Sequence, residues 1–248
     1  MRSPIAFTLG LALSVSTGAL AAVEMPGSSY LQGLSWLGHA SFRWEKEGTV
    51  IYMDPFQIDA APHDGKIILI SHSHFDHLDP ESVMKVAADG AVVVAPADCI
   101  PKLREAGVQA EVKEIAPGQT LEVRGVRIEG VPAYNLDKDF HLKESGWVGF
   151  VVTVGRVRLY HAGDTDFIPE MEGLEPEVAL LPVSGAYVMT ASQAAAAAQA
   201  IRAKVTVPMH YGAIVGSEAD ARRLREEAGD RIIEILEKTV LPGEEDGS

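Results

Sequence analysis

The stretch "KIILISHSHFDHLDP", residues 66–80, constrains this chain more than any other. Its first half is a continuous apolar run, the pattern of a strand covered on both faces. Its second half puts three of the chain's eight histidines, with two aspartates, within eight positions. Residues two apart on an extended strand project to the same side, so His72 and His74 aim at one point. Asp76 and His77 follow as the chain turns, and aim at a second point nearby. Imidazole suits zinc, iron and similar ions, and carboxylate adds a hard, charge-balancing ligand. An isolated H-x-H arises by chance. H-x-H-x-D-H at a strand-to-helix turn is far more specific.

The segments around the motif set the fold class. "DPESVMKVAADG" predicts a helix capped by Asp79, opened by Pro80 and closed by Gly90. Upstream, "LQGLSWLGHASFRWEKEGTVIYMDP" alternates apolar and polar residues around the turn "EKEG", a meander of short strands. Downstream come the buried strand "AVVVAP", the short helix "ADCIPKLREAGV" and the strands of "EVKEIAPGQTLEVRGVRIEGVPAYN". A hairpin about Gly155-Arg156 runs into a Gly-Asp turn. The last third alternates strand and helix. It has the strand "EVALLPVSG", then the helix "TASQAAAAAQAIRA" with Thr190 and Gln193 as a capping box. The strand "KVTVPMHYG", the helix "SEADARRLREEAG" and a final strand "DRIIEIL" follow. Two β-rich halves with helices outside predict an α/β protein, a four-layer αββα sandwich.

Residues 1–22 stand apart from this pattern. Arg2, an apolar stretch and Ala19-Leu20-Ala21 fit a secretory signal peptide, with an uncleaved anchor as the alternative. The expected mature domain is 23–248, exported to the periplasm, with no stable membrane span once the signal is removed. Cys99 is the only cysteine, so no internal disulfide can form, and it reads as a packing residue. The formal net charge of −14 and the lack of a Lys/Arg cluster argue against a nucleic-acid partner.

The order of motifs resembles the metallo-β-lactamase superfamily. "WLGHASF" and "DPF" precede the histidine motif, and "HAGDTD" and "PMHYG" follow it. "VPAYNLDKDFHLKESGWVGFVV" and "YHAGDTDFIPEM" are similar to the UPF0173 type of metal-dependent hydrolase. That branch is related to ascorbate 6-phosphate lactonase-type and N-acyl phosphatidylethanolamine phospholipase D-type proteins. The resemblance implies two divalent metal ions, zinc first, with manganese or iron as alternatives. One would be held by His72, His74 and a third histidine, the other by Asp76, His77 and His210, with Asp164 bridging them. His141 is the expected third histidine. Asn135, in "PAYN", competes for the same place. Asp54 is expected to orient the 72–77 loop. His39 reads as adjacent to the site or as packing, His161 as buried in its strand, and His63 as solvated.

A metal-bridging hydroxide attacking an ester, lactone or phosphodiester follows from that pattern, with Asp76 also accepting the proton of the water. The chain lacks a G-x-S-x-G nucleophile elbow. A small-molecule or lipid-like substrate is expected, with Tyr134, Tyr187 and Lys143 as candidate contacts and the oligomeric state open. The competing reading is a non-catalytic metal-binding or ligand-sensing periplasmic protein.

Overall fold

The computed structural model describes residues 27–242. The expected signal peptide, residues 1–22, lies outside them. Twelve strands form two six-stranded sheets among the described residues. The first holds β1 (Leu34–Gly38), β2 (Ser41–Lys46), β3 (Thr49–Met53), β4 (Gly65–Leu69), β5 (Ala87–Ala95) and β6 (Glu111–Glu114), in that order. The second holds β7 (Thr120–Val123), β8 (Val126–Pro132), β9 (Val148–Val154), β10 (Val157–His161), β11 (Val178–Pro182) and β12 (Val205–Met209). Each sheet joins an antiparallel meander to parallel strands. β3 to β6 run parallel in the first, and β10 to β12 in the second.

Side-chain alternation sorts the layers. Ile67 and Leu69 of β4, with Val92 and Val94 of β5, face the core between the sheets, where they meet Ile128, Phe150 and Val152. Their neighbours Ile68, Ile70 and Val93 face the opposite side. There they pack with Val83, Val86 and Leu103 of helices α2 (Pro80–Val86) and α3 (Cys99–Glu105). Period two on a strand therefore feeds two cores at once. On the far side, α4 (Ala191–Ile201) and α5 (Glu218–Glu227) pack on β11 and β12. α4 opens with the Thr190–Gln193 capping box, and its buried alanines let it lie close on the sheet. A short α1 (Gly27–Tyr30) precedes β1. The result is the αββα sandwich that the segment pattern predicts.

Two boundaries differ from the sequence reading. α2 stops at Val86, and the residues expected to carry it on to Gly90 begin β5. Ala87 is extended and pairs with Gly65, so strand pairing overrides the helix propensity of the alanines. "DRIIEIL" makes only a single bridge, Ile233 with Thr206. It touches the edge of β12 over one residue and then departs.

The parallel strands all point their carboxyl ends at one rim of the sandwich, where the loops after β3, β4, β10, β11 and β12 meet. Gly149 sets how closely they approach. A Cβ there would stand 2.6 Å from the carbonyl oxygens of both His161 and Ala162, just before the Gly163-Asp164 turn. Gly149→Ala must push these backbones apart. We expect a loss of about 1–3 kcal/mol in urea unfolding. A midpoint equal to that of the parent protein would show that the strands yield at no cost.

Candidate metal centre

The motif loop leaves β4 at Ile70 and folds back on itself before α2, with the amides of His77 and Leu78 donating to the His74 carbonyl. Asp79 then caps α2 through the amides of Glu81 and Ser82. His72, His74 and His141 offer nitrogens that all lie within 4.8 Å of one another. A second group with the same spacing joins Asp76, His77 and His210 with His39. Asp164 stands between them. Its Oδ2 is 3.2 Å from His141 Nε2 and 3.1 Å from His210 Nε2, and its Oδ1 is 3.2 Å from His77 Nε2. All seven residues expected from the sequence therefore meet at one place, a His/Asp cluster able to bind metal.

Hydrogen-bond accounting fixes the ring nitrogens that face inward. Asp54 Oδ2 accepts from His77 Nδ1 at 2.7 Å and from Ser71 Oγ at 2.6 Å. Ser71 has given away its only hydroxyl proton, so its oxygen accepts from His72 Nδ1 at 2.9 Å. His210 Nδ1 is held by Ser184 Oγ at 3.0 Å. His72, His77 and His210 thus turn Nε2 toward Asp164. His77 Nε2, His141 Nε2, His210 Nε2 and Asp164 Oδ1 are buried with no hydrogen-bond partner. His72 Nε2 and His74 Nδ1 lie 3.0 Å apart. Native interiors rarely leave buried polar atoms unmatched. A shared cation satisfies this arrangement, so the donor set fits divalent metal.

Electrostatics point the same way. Burial pushes the His72 ring well below its ordinary value and keeps it neutral, the form with a free lone pair. Burial also opposes charge on His77, but Asp164 and Asp54 outweigh it and hold that ring well above its ordinary value. Burial opposes ionisation of Asp164 too, yet His210 and His77 hold its carboxyl well below the usual range. The cluster demands positive charge, which a proton or a cation can supply.

Of the supporting side chains, Trp147 gives no signal in the sequence, while His39, expected beside the site or in packing, touches it. Trp147 packs its ring 4.8 Å from those of both His72 and His74 and donates its Nε1–H to Asp98. His39 donates from Nε2 to Asp76 Oδ2 at 3.0 Å and lies against the His210 ring at 4.0 Å. Asn135 stays outside the cluster. Its amide donates to the carbonyls of Phe140 and Tyr187, and its backbone N–H to His141 O. It therefore shapes the loop that delivers His141. Tyr134 and Lys143 also turn away. Lys143 Nζ bonds Glu170 at 2.9 Å and Tyr134 Oη at 3.2 Å, and Tyr134 donates to Glu170, so neither lines the pocket. His161 is buried on Ala40 O, and His63 is exposed. Cys99 is buried, and burial pushes its thiol far up, out of reach of nucleophilic use.

A pocket of about 250 Å³ opens above the cluster. Its base is His74, Asp76, His141, Asp164 and His210, and its walls are Phe75, Phe140, Tyr187, Ile214 and Val215. Among the described residues no helix is long and apolar enough to cross a membrane. Because Asp54 orients both His72 and His77, Asp54→Asn should weaken zinc affinity about 10–100-fold, read by chelator competition. Unchanged affinity would show that the loop holds its shape without that carboxylate.

Residues 33–210 match the beta-lactamase superfamily domain. A UPF0173 metal-dependent hydrolase of Methanopyrus kandleri is 33% identical over 227 residues, covering 85% of this chain and 97% of that protein. One from Thermoplasma acidophilum is 34% identical over 205 residues, 78% of this chain and 89% of its own. The solved structure of a metallo hydrolase from Ignicoccus hospitalis is 26% identical, with a TM-score of 0.67, covering 83% of this chain and 94% of that one. With the seven motif residues gathered at one rim of an αββα sandwich, the chain belongs to the metallo-β-lactamase superfamily and, within it, to the UPF0173 metal-dependent hydrolases.

Proposed function

We propose that this protein is a hydrolase of esters, lactones or phosphodiesters that works with two divalent ions. His72, His74 and His141 would hold one, and Asp76, His77 and His210 the other, with Asp164 shared. The observation that carries this reading is the set of buried, partnerless nitrogen and carboxylate atoms turned toward one another at the base of an open pocket. Zinc is the first choice, although manganese or iron suits the same donors. Bound there, such ions lower the pKa of water toward neutrality and polarise a substrate oxygen.

The protein's own groups do the rest. Asp76 reaches the pocket, and the N–H from His39 helps hold its carboxyl below its ordinary value although burial opposes this. It is therefore ionised and available to take a proton from water at its free oxygen. Ser184 and Asp54 keep His210 and His77 in one orientation, so these rings are preorganised for the reaction. Trp147 shields the His72–His74 side from solvent.

Metal analysis of the purified protein tests the assignment. We expect about two ions per chain in the parent and about one in His141→Ala, with Asn135→Ala, which removes a positioning contact and no ligand, losing less than His141→Ala. One ion or none in the parent, unchanged by His141→Ala, overturns it. Two ions with no turnover across an ester, lactone and phosphodiester panel would favour the metal-binding, ligand-sensing reading instead.

Residues 1–22 we read as an export signal that leaves a periplasmic protein, on the strength of Arg2, the apolar stretch and Ala19-Leu20-Ala21. Mass spectrometry of cell fractions should then find a chain starting near Val23 in the periplasm. An intact Met1 chain in the cytosol would refute this.

A further inference from the structure

We infer that the substrate, beyond the bond that is broken, is uncharged and apolar: a short aliphatic or aryl group that packs against Phe75, Phe140, Tyr187 and Ile214. The inference rests on the hydrolase reading and narrows it. These four side chains are 69%, 49%, 39% and 44% exposed, and all of them wall one pocket. Exposed large apolar residues are ordinary when scattered, but a cluster around a concave site marks a binding surface. The wall is also fixed in place. Phe140 and Tyr187 meet edge to face at 5.0 Å, and the Asn135 amide ties their carbonyls together. Phe75 leans on Phe56 at 6.1 Å.

No Lys or Arg lines the pocket. The nearby cations are committed elsewhere: Lys138 to Asp166, Lys143 to Glu170, and Lys102 to the Ser73 carbonyl. Asp137 and Asp139, exposed on the loop that carries Phe140, add negative charge. With the metal centre taken up by the bond that is broken, a phosphate or carboxylate on the substrate's tail would find no counter-ion on the walls and would meet the carboxylates of Asp137 and Asp139. At about 250 Å³ the space suits a small molecule.

A matched pair of esters tests this. Para-nitrophenyl butyrate and para-nitrophenyl hydrogen succinate share a leaving group and differ by a terminal carboxylate, and each rate is taken above its enzyme-free blank because the succinate's carboxylate attacks its own ester. With the metal-loaded full chain, kcat/KM should favour the butyrate by about tenfold or more. Ile214→Lys, and separately Phe140→Lys, should shrink that ratio while metal content stays unchanged. A ratio near one, or a preference for the succinate, overturns the inference. Binding supplies an arm that needs no turnover. Calorimetry with phenylacetone and its para-carboxylate, ketones without a leaving group, should show the same preference. If neither ester is hydrolysed but the neutral ketone binds about tenfold tighter, the pocket inference stands and the hydrolase reading falls. Equal binding of the two ketones overturns the inference whatever the turnover.

Discussion

The carboxylate of Asp54 is the constraint on which the rim depends. It sits fully buried at the end of β3 and takes three hydrogen bonds, from the Ser71 amide, the Ser71 hydroxyl and His77 Nδ1. A buried anion is tolerable only when its oxygens are fully engaged, and here they are. The same three bonds join the carboxyl ends of β3 and β4. They also orient one imidazole directly and a second through Ser71. A single side chain thus converts the position of two strands into the direction of two lone pairs. A one-residue shift of β4 against β3 would break all three bonds, so strand register and metal geometry are one specification.

Four site residues also carry backbone strain. His39, Asp54, His141 and His210 all have left-handed φ, between 44° and 61°. Non-glycine residues visit that region at a cost of order 1–2 kcal/mol each. Here each is held by bonds from elsewhere in the fold. The His210 amide donates to His39 O, the Asp54 amide to Leu69 O, and the Asn135 amide to His141 O. The first of these bonds crosses from the second sheet to the first, as does the bond from the Val148 amide to Ser71 O. Two of the strained residues, His39 and His210, therefore sit where the two halves are stitched together. That is where a site drawn from both halves must lie.

How much of this the sequence discloses follows from distance along the chain. His72, His74, Asp76 and His77 are legible because a strand end and a turn fix their directions locally. Asp164, His210 and His141 arrive on loops from the other half. No local pattern relates them to the motif, and only the family resemblance pointed to them. Trp147 and Phe140 give no signal, because their roles depend on the path of the 135–147 loop. Asn135 was legible as a rival to His141 but not as the residue that positions it. The helix extended to Gly90 failed because alanine propensity is local while the pairing of Ala87 with Gly65 is not. The layer architecture was readable throughout, since the apolar runs of β4, β5, β11 and β12 carry their burial in their composition.

Cys99 is the only cysteine, so no intrachain disulfide braces the fold. Its stability comes from the two cores and, on the reading proposed above, from metal. The unmatched atoms of His77, His141, His210 and Asp164 each forfeit hydrogen bonds to water on folding and recover none from protein. Without a cation they are a buried cost concentrated in the loops that join the halves. With one, ligands contributed by both sheets share a single charge, and binding free energy becomes folding free energy. The architecture thereby couples the stability of this rim to its chemistry. The loops that carry these ligands are then held most firmly when the site is loaded.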